Sequence, residues 1–83
     1  MILAVDIGNT YTNLGCLDKD CRIDRIVQLP TDRAETKYGY AVKLSQTLEL
    51  VGISTDDLEG AVISSVVPQL TAVMRDAITL FAK

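Results

Sequence analysis

Histidine and tryptophan are absent from this sequence, and cysteine occurs only twice, at Cys16 and Cys21. Without histidine there is no Ser-His or Cys-His nucleophilic pair, and the commonest transition-metal ligand is missing. The two cysteines lack the C-x-x-C spacing of redox and zinc sites. They are expected as reduced, half-buried thiols on neighbouring strands, packing as small hydrophobes. There is no basic run, and the net charge is −3, which argues against nucleic acid and anionic membrane surfaces as partners. Apolar runs fall far short of the roughly 18 residues a membrane span needs. No Lys or Arg precedes the N-terminal apolar run and no small-residue cleavage site follows it, so it reads as a strand and not as a signal peptide. A reducing cytoplasmic location is expected.

What is present fits one small domain over residues 1–83, with 48% hydrophobic and 23% charged residues. A chain this short buries only roughly 60% of its unfolded surface, so the core is thin. Residues 2–7 form a continuous apolar run closed by Gly8, which predicts a central strand covered on both faces. Residues 12–17 predict a second strand, Asp18-Lys19-Asp20 a polar turn, and residues 22–29 a more exposed third strand ended by Pro30. Connections this short allow only an antiparallel meander.

The period then changes. Tyr40, Ala41, Leu44, Leu48 and Val51 fall at helical spacing, with Lys43, Gln46 and Glu49 on the other side. Asp32 with Glu35, or Thr36 one turn later, can cap this helix, and Gly52 followed by Ile53 suits its C-terminal end. Residues 54–59 suggest a turn or a single helical turn. Ala61 to Val67 predict a second buried strand, parallel to the first because a helix connects them. Pro68 fits the first position of a last helix with a stripe of Leu70, Val73, Met74, Ala77, Ile78 and Phe81. The order is β-β-β-α-β-α, an α/β fold with a sheet part antiparallel and part parallel.

The chemistry concentrates at "VDIGNT", residues 5–10. A carboxylate at the end of a buried strand loses hydration worth several kcal/mol unless something compensates it. Gly8 permits close backbone approach or a positive φ. Asn9 tolerates left-handed geometry, while Thr10 and Thr12 add hydroxyls and Tyr11 a phenol. Such a turn, with its main-chain N–H groups, can cradle phosphate oxygens. The carboxylate of Asp6 would repel bare phosphate and makes sense with a bridging Mg²⁺ or its waters. The structural alternative is a hairpin in which Asp6 caps the turn through local N–H groups. Asp18, Asp20, Asp24, Asp56, Asp57 and Glu59 are expected as solvated surface. Ser64 and Ser65 either pair in the sheet, serve the following helix or touch a ligand. Thr31-Asp32-Arg33 reads as the start of a helix, with substrate or subunit contact by Arg33 as the alternative. Tyr38 and Tyr40 are expected in the core or at an interface.

Three ordered blocks, "MILAVDIGNTYTNLG", "TDRAETKYGYAVKL" and "DLEGAVISSVVPQLT", together resemble the N-terminal part of type III pantothenate kinases, the Bvg accessory factor homologues. D-x-G-x-T alone is shared with sugar kinases, actin and heat-shock chaperone ATPases, but the two later blocks narrow the likeness. The resemblance implies the ribonuclease H-like, actin-like ATPase fold as a half-domain. It implies that Asp6, Ile7, Gly8, Asn9, Thr10, Tyr11, Thr12 and Asn13 form the ATP phosphate-binding segment, with Asp6 holding Mg²⁺ through water. It further implies transfer of the ATP γ-phosphoryl to pantothenate, the first step of coenzyme A biosynthesis. A monovalent cation (K⁺ or NH₄⁺) and a homodimer come with the same family.

The family's G-x-D-R segment, which carries the catalytic base, its second phosphate loop and its second half-domain have no counterpart here. No catalytic residue is therefore expected in these 83 residues, which read as a fragment. Two alternatives stand beside this reading: a non-catalytic half-domain that self-associates through an open strand edge, and another actin-like ATPase or sugar kinase.

Overall fold

A computed structural model describes residues 1–82, apart from the side chain of Asp24, so the expectation of a solvated Asp24 lies outside the described residues. Strands β1 (Ile2–Ile7), β2 (Tyr11–Leu17) and β3 (Ile23–Pro30) form the meander. Helix α1 (Lys37–Leu50), a 3₁₀ turn (Thr55–Asp57), strand β4 (Gly60–Ser65) and helix α2 (Pro68–Phe81) follow. The sheet order is β3-β2-β1-β4, with β1 antiparallel to β2 and parallel to β4. This is the mixed α/β arrangement expected from the sequence.

The ends of α1 follow from local chemistry. Of the two capping arrangements, the structure uses Thr36, whose Oγ1 accepts from Gly39 N at 3.1 Å. At the other end Gly52 has φ +80, Gly52 N donates to Glu49 O and Ile53 N to Leu48 O. That is the paired-bond termination in which glycine relieves the steric cost of left-handed backbone. Pro68 opens α2, and Ser65 serves that helix start through hydrogen bonds between its Oγ and Val67 N and O, each 3.0 Å.

Both helices contribute to one core with Leu3, Val5, Ile7, Leu14 and Cys16 of the sheet. This corrects two expectations. β1 is central but covered on one face only among the described residues, because Ala4 is half-buried and Asp6 exposed on the other. β4 is exposed along most of its length, with only Ile63 and Ser65 half-buried, and it ends at Ser65. An apolar run reads as buried on both sides, but the α1 and α2 stripes turn to the same side of the sheet. The open face carries Ile26, 69% exposed, and Val62, 54% exposed.

Smaller corrections concern turns. Cys16 is buried on β2, but Cys21 is exposed in the β2–β3 turn with φ +60. Asp18 is not merely solvated, since its Oδ1 accepts from Asp20 N and Arg22 N and so shapes that turn. Tyr40 is in the core, whereas Tyr38 is 63% exposed.

Candidate phosphate-binding hairpin

The turn joining β1 to β2 is closed by Gly8 N donating to Tyr11 O at 2.9 Å. Gly8 is needed for close approach and not for positive φ, because a Cβ there would lie 2.9 Å from Tyr11 O. Asn9 does not use the left-handed region either; among the described non-glycine residues only Cys21 and Arg25 have positive φ.

Strand register places Asp6 beside Asn13 on one side and Ser64 on the other, and Asn13 beside Gln28. Cross-strand partners share a face, so Ser64, Asp6, Asn13 and Gln28 form a polar row at one end of the open sheet face. Gln28 Nε2 donates to Asn13 Oδ1 at 3.2 Å. Asp6, Asn13 and Ser64 border a shallow groove of about 280 Å³ whose largely apolar wall includes Ala4, Gly15, Ile23, Ile26 and Val62. Among the described residues the Asp6 carboxylate makes no hydrogen bond or ion pair, and its side chain is exposed. The alternative of a carboxylate capping its own turn is therefore not the arrangement found.

The eight site residues separate by environment. Asp6, Asn9, Thr10 and Tyr11 are exposed, and Gly8 and Asn13 are half-buried. Ile7 and Thr12 are fully buried, so at the hairpin surface they can offer main-chain atoms only. Ile7 O accepts from Val66 N, and Thr12 Oγ1 lies 2.9 Å from Thr31 Oγ1. Among the described residues neither Asn9 N–H nor Thr10 N–H donates a hydrogen bond. Unengaged main-chain donors beside a single exposed carboxylate suit a phosphate that arrives with its cation. No group of three or more His, Cys, Asp or Glu side chains is gathered among the described residues. One carboxylate with water and phosphate oxygens is nonetheless a usual setting for Mg²⁺, so the residues present fit that ion.

Sequence reasoning gave too little weight to Ser64, Gln28, Thr31 and Arg33. Thr31 Oγ1 donates to Gly8 O at 2.8 Å and Thr31 N to Thr10 O at 2.9 Å. Arg33 donates through Nη1 to Asn9 O at 3.1 Å and through Nη2 to Asn9 Oδ1 at 2.8 Å. The signal was in the meander, because pairing Tyr11 with Pro30 brings residue 31 alongside residue 10. Asp32 between them is held by Tyr40, whose hydroxyl accepts from Asp32 N and donates to Asp32 O, both at 2.9 Å. Lys43 Nζ lies 2.7 Å from Glu35 Oε2 and 3.8 Å from Asp32 Oδ2. That ammonium, then the Thr36 N–H, holds the Glu35 carboxyl below its usual 4.5, and the Glu35 hydrogen bond raises Lys43 above 10.5.

Residues 2–83 match the family model described as type III pantothenate kinase. A type III pantothenate kinase of Geobacter sulfurreducens is 38% identical over 74 residues, which is 89% of this chain and 29% of that protein. That of Pelobacter propionicus is 38% identical over 74 residues, 89% of this chain and 29% of its own length. That of Bacillus cytotoxicus is 36% identical over 70 residues, 84% of this chain and 26% of its own. The chain thus spans less than a third of the length of these curated relatives. Matched along nearly its whole length, the chain belongs to the type III pantothenate kinase family.

Proposed function

We propose that this chain supplies the phosphate-binding hairpin of an ATP-dependent pantothenate kinase acting at the first step of coenzyme A biosynthesis. The observation that carries the reading is the exposed, unpartnered Asp6 carboxylate next to a turn whose Asn9 and Thr10 N–H groups are unengaged. The half-domain is read as the ribonuclease H-like part of an actin-like ATPase fold, which the β-β-β-α-β-α order supports. The turn from Gly8 to Tyr11 would bind the β- and γ-phosphates, and Asp6 would hold Mg²⁺ through water, with Asn13 and Ser64 beside it on the same face. A bound Mg²⁺ supplies charge neutralisation on the phosphates. The reaction breaks the bond between the γ-phosphorus and its bridging oxygen and forms one to the primary hydroxyl oxygen of pantothenate. Catalysis of this kind is mostly positioning and electrostatic stabilisation. The base accepting the hydroxyl proton is read as belonging to a segment beyond these residues. The monovalent cation, the homodimer and the cytoplasmic location belong to the same proposal; no helix among the described residues is long and apolar enough to cross a membrane.

The test is a titration of the full chain with Mg-ATP, followed by NMR at the Gly8, Asn9 and Thr10 amides. Saturable shifts confined to this turn are expected. Asp6→Asn is expected to remove the Mg²⁺-dependent part of the affinity and leave the melting temperature unchanged, because the carboxylate has no partner to lose. Absence of any response at the turn, or unfolding of Asp6→Asn, would refute the reading.

A second reading, a self-associating module, is favoured by one specific feature. β4 is an edge strand in the sheet order, and it adjoins an open face bearing Ile23, Ile26 and Val62. An unpaired apolar edge is a template for pairing with another chain.

A further inference from the structure

Three consecutive carbonyls of the hairpin turn are held by one short segment. Gly8 O accepts from Thr31 Oγ1, Asn9 O from Arg33 Nη1 and Thr10 O from Thr31 N. Each of these carbonyls shares a peptide plane with the N–H of the next residue, and no cis peptide bond occurs among the described residues. In a trans peptide the C=O and N–H point in opposite directions. Holding the three carbonyls therefore turns the N–H groups of Asn9, Thr10 and Tyr11 off the side occupied by Thr31 and Arg33. Successive N–H groups set in this way form an anion-binding concavity.

We infer that Thr31-Asp32-Arg33 is the positioning segment that presets this cradle, with Arg33 as its fork. The guanidinium spans both acceptors of Asn9, its main-chain O and its Oδ1. That geometry needs a planar two-nitrogen donor, which a lysine ammonium does not have. Tyr40 fixes the middle of the segment by bonding both the N–H and the C=O of Asp32. The segment thus transmits the rigidity of the core to the turn. Without it the three peptide planes are free to rotate, and a carbonyl turned toward the anion repels it. Arg33 itself is exposed, so its contribution to the core is small.

The positioning role stands on the unliganded turn; its consequence for affinity rests on the phosphate-hairpin reading above. The test uses the full chain with Arg33→Met and Arg33→Lys. In the unliganded protein the ¹⁵N order parameter at Thr10, whose N–H shares a peptide plane with Asn9 O, is expected near the rigid-backbone value of about 0.85, falling to about 0.6 in both variants, while Asn9, whose plane Thr31 still holds through Gly8 O, keeps its value. Mg-ATP affinity is expected to weaken about tenfold in both, equivalent to about 1.4 kcal/mol. The melting temperature is expected to stay unchanged. Turn order parameters that do not change in either variant overturn the inference, whatever the nucleotide does. So does wild-type affinity in both variants, or full rescue by lysine, which would make charge and not the fork the cause. A turn that loosens in the variants while Mg-ATP binds to none of the proteins upholds the positioning role and sinks the phosphate reading.

Discussion

Replacing Tyr40 by phenylalanine removes one oxygen and two hydrogen bonds while leaving the ring that fills the core. Tyr40 is buried, and its hydroxyl is both acceptor from Asp32 N and donor to Asp32 O, each at 2.9 Å. Because the ring remains, no large cavity forms, and the cost comes from two main-chain groups left without partners. A buried unsatisfied group costs about 1–3 kcal/mol. Asp32 is only half-buried, so water recovers part of this, and about 2 kcal/mol in total is expected for Tyr40→Phe. For a domain of this size each kcal/mol lowers the melting temperature by roughly 4–8 °C, which gives a fall of about 8–16 °C by circular dichroism. Asp32 lies between Thr31 and Arg33, so the Asn9 and Thr10 amide resonances should also shift, although Tyr40 bonds neither residue. Tyr38→Phe is the control: its exposed hydroxyl has no hydrogen bond among the described residues, and a change within about 0.5 kcal/mol is expected. A Tyr40→Phe protein that melts with the wild type, with turn resonances in place, would refute the reasoning that this hydroxyl anchors the segment behind the hairpin.

Two further outcomes are expected. Glu35→Gln should lower stability slightly at neutral pH and leave it equal to wild type in strong acid. Glu35 is held below 4.5, so its contribution is present above that value and is lost as pH falls through the folded-state value. Lys43, raised above 10.5, contributes below that value and loses its share as pH rises through its own folded-state value, so the difference should also fade in strong alkali. Melting curves across pH check both limbs, and a deficit undiminished in acid would contradict the ion-pair assignment. The isolated chain should self-associate with rising concentration in light scattering, and Val62→Lys should reduce this by placing charge on the open face beside the free edge. A clean monomer at high concentration would contradict it.

Local signals carried much of the fold. The meander followed from turn lengths at Gly8 and Asp18–Asp20, which leave no room for a crossover. Helix α1 ended where Gly52 and Ile53 said it would, because only glycine takes φ +80 at little cost. Asp6 drew notice because a carboxylate ending an apolar strand needs a reason. Gln28 did not, since nothing in its own neighbourhood sets it apart from an ordinary surface residue, and for Ser64 ligand contact is only one of three alternatives that the sequence leaves open.

The sequence by itself determined the element order, the apolar stripes of both helices and the place of the carboxylate at the first turn. These depend on periodicity, turn chemistry and desolvation, which act over a few residues. Only the tertiary structure decided that both stripes cover one side of the sheet, leaving Asp6, Asn13 and Ser64 together on the open side. It alone joined Thr31 and Arg33 to carbonyls more than twenty residues earlier. Those facts depend on strand register and helix packing, in which residues distant along the chain become neighbours only when the sheet closes.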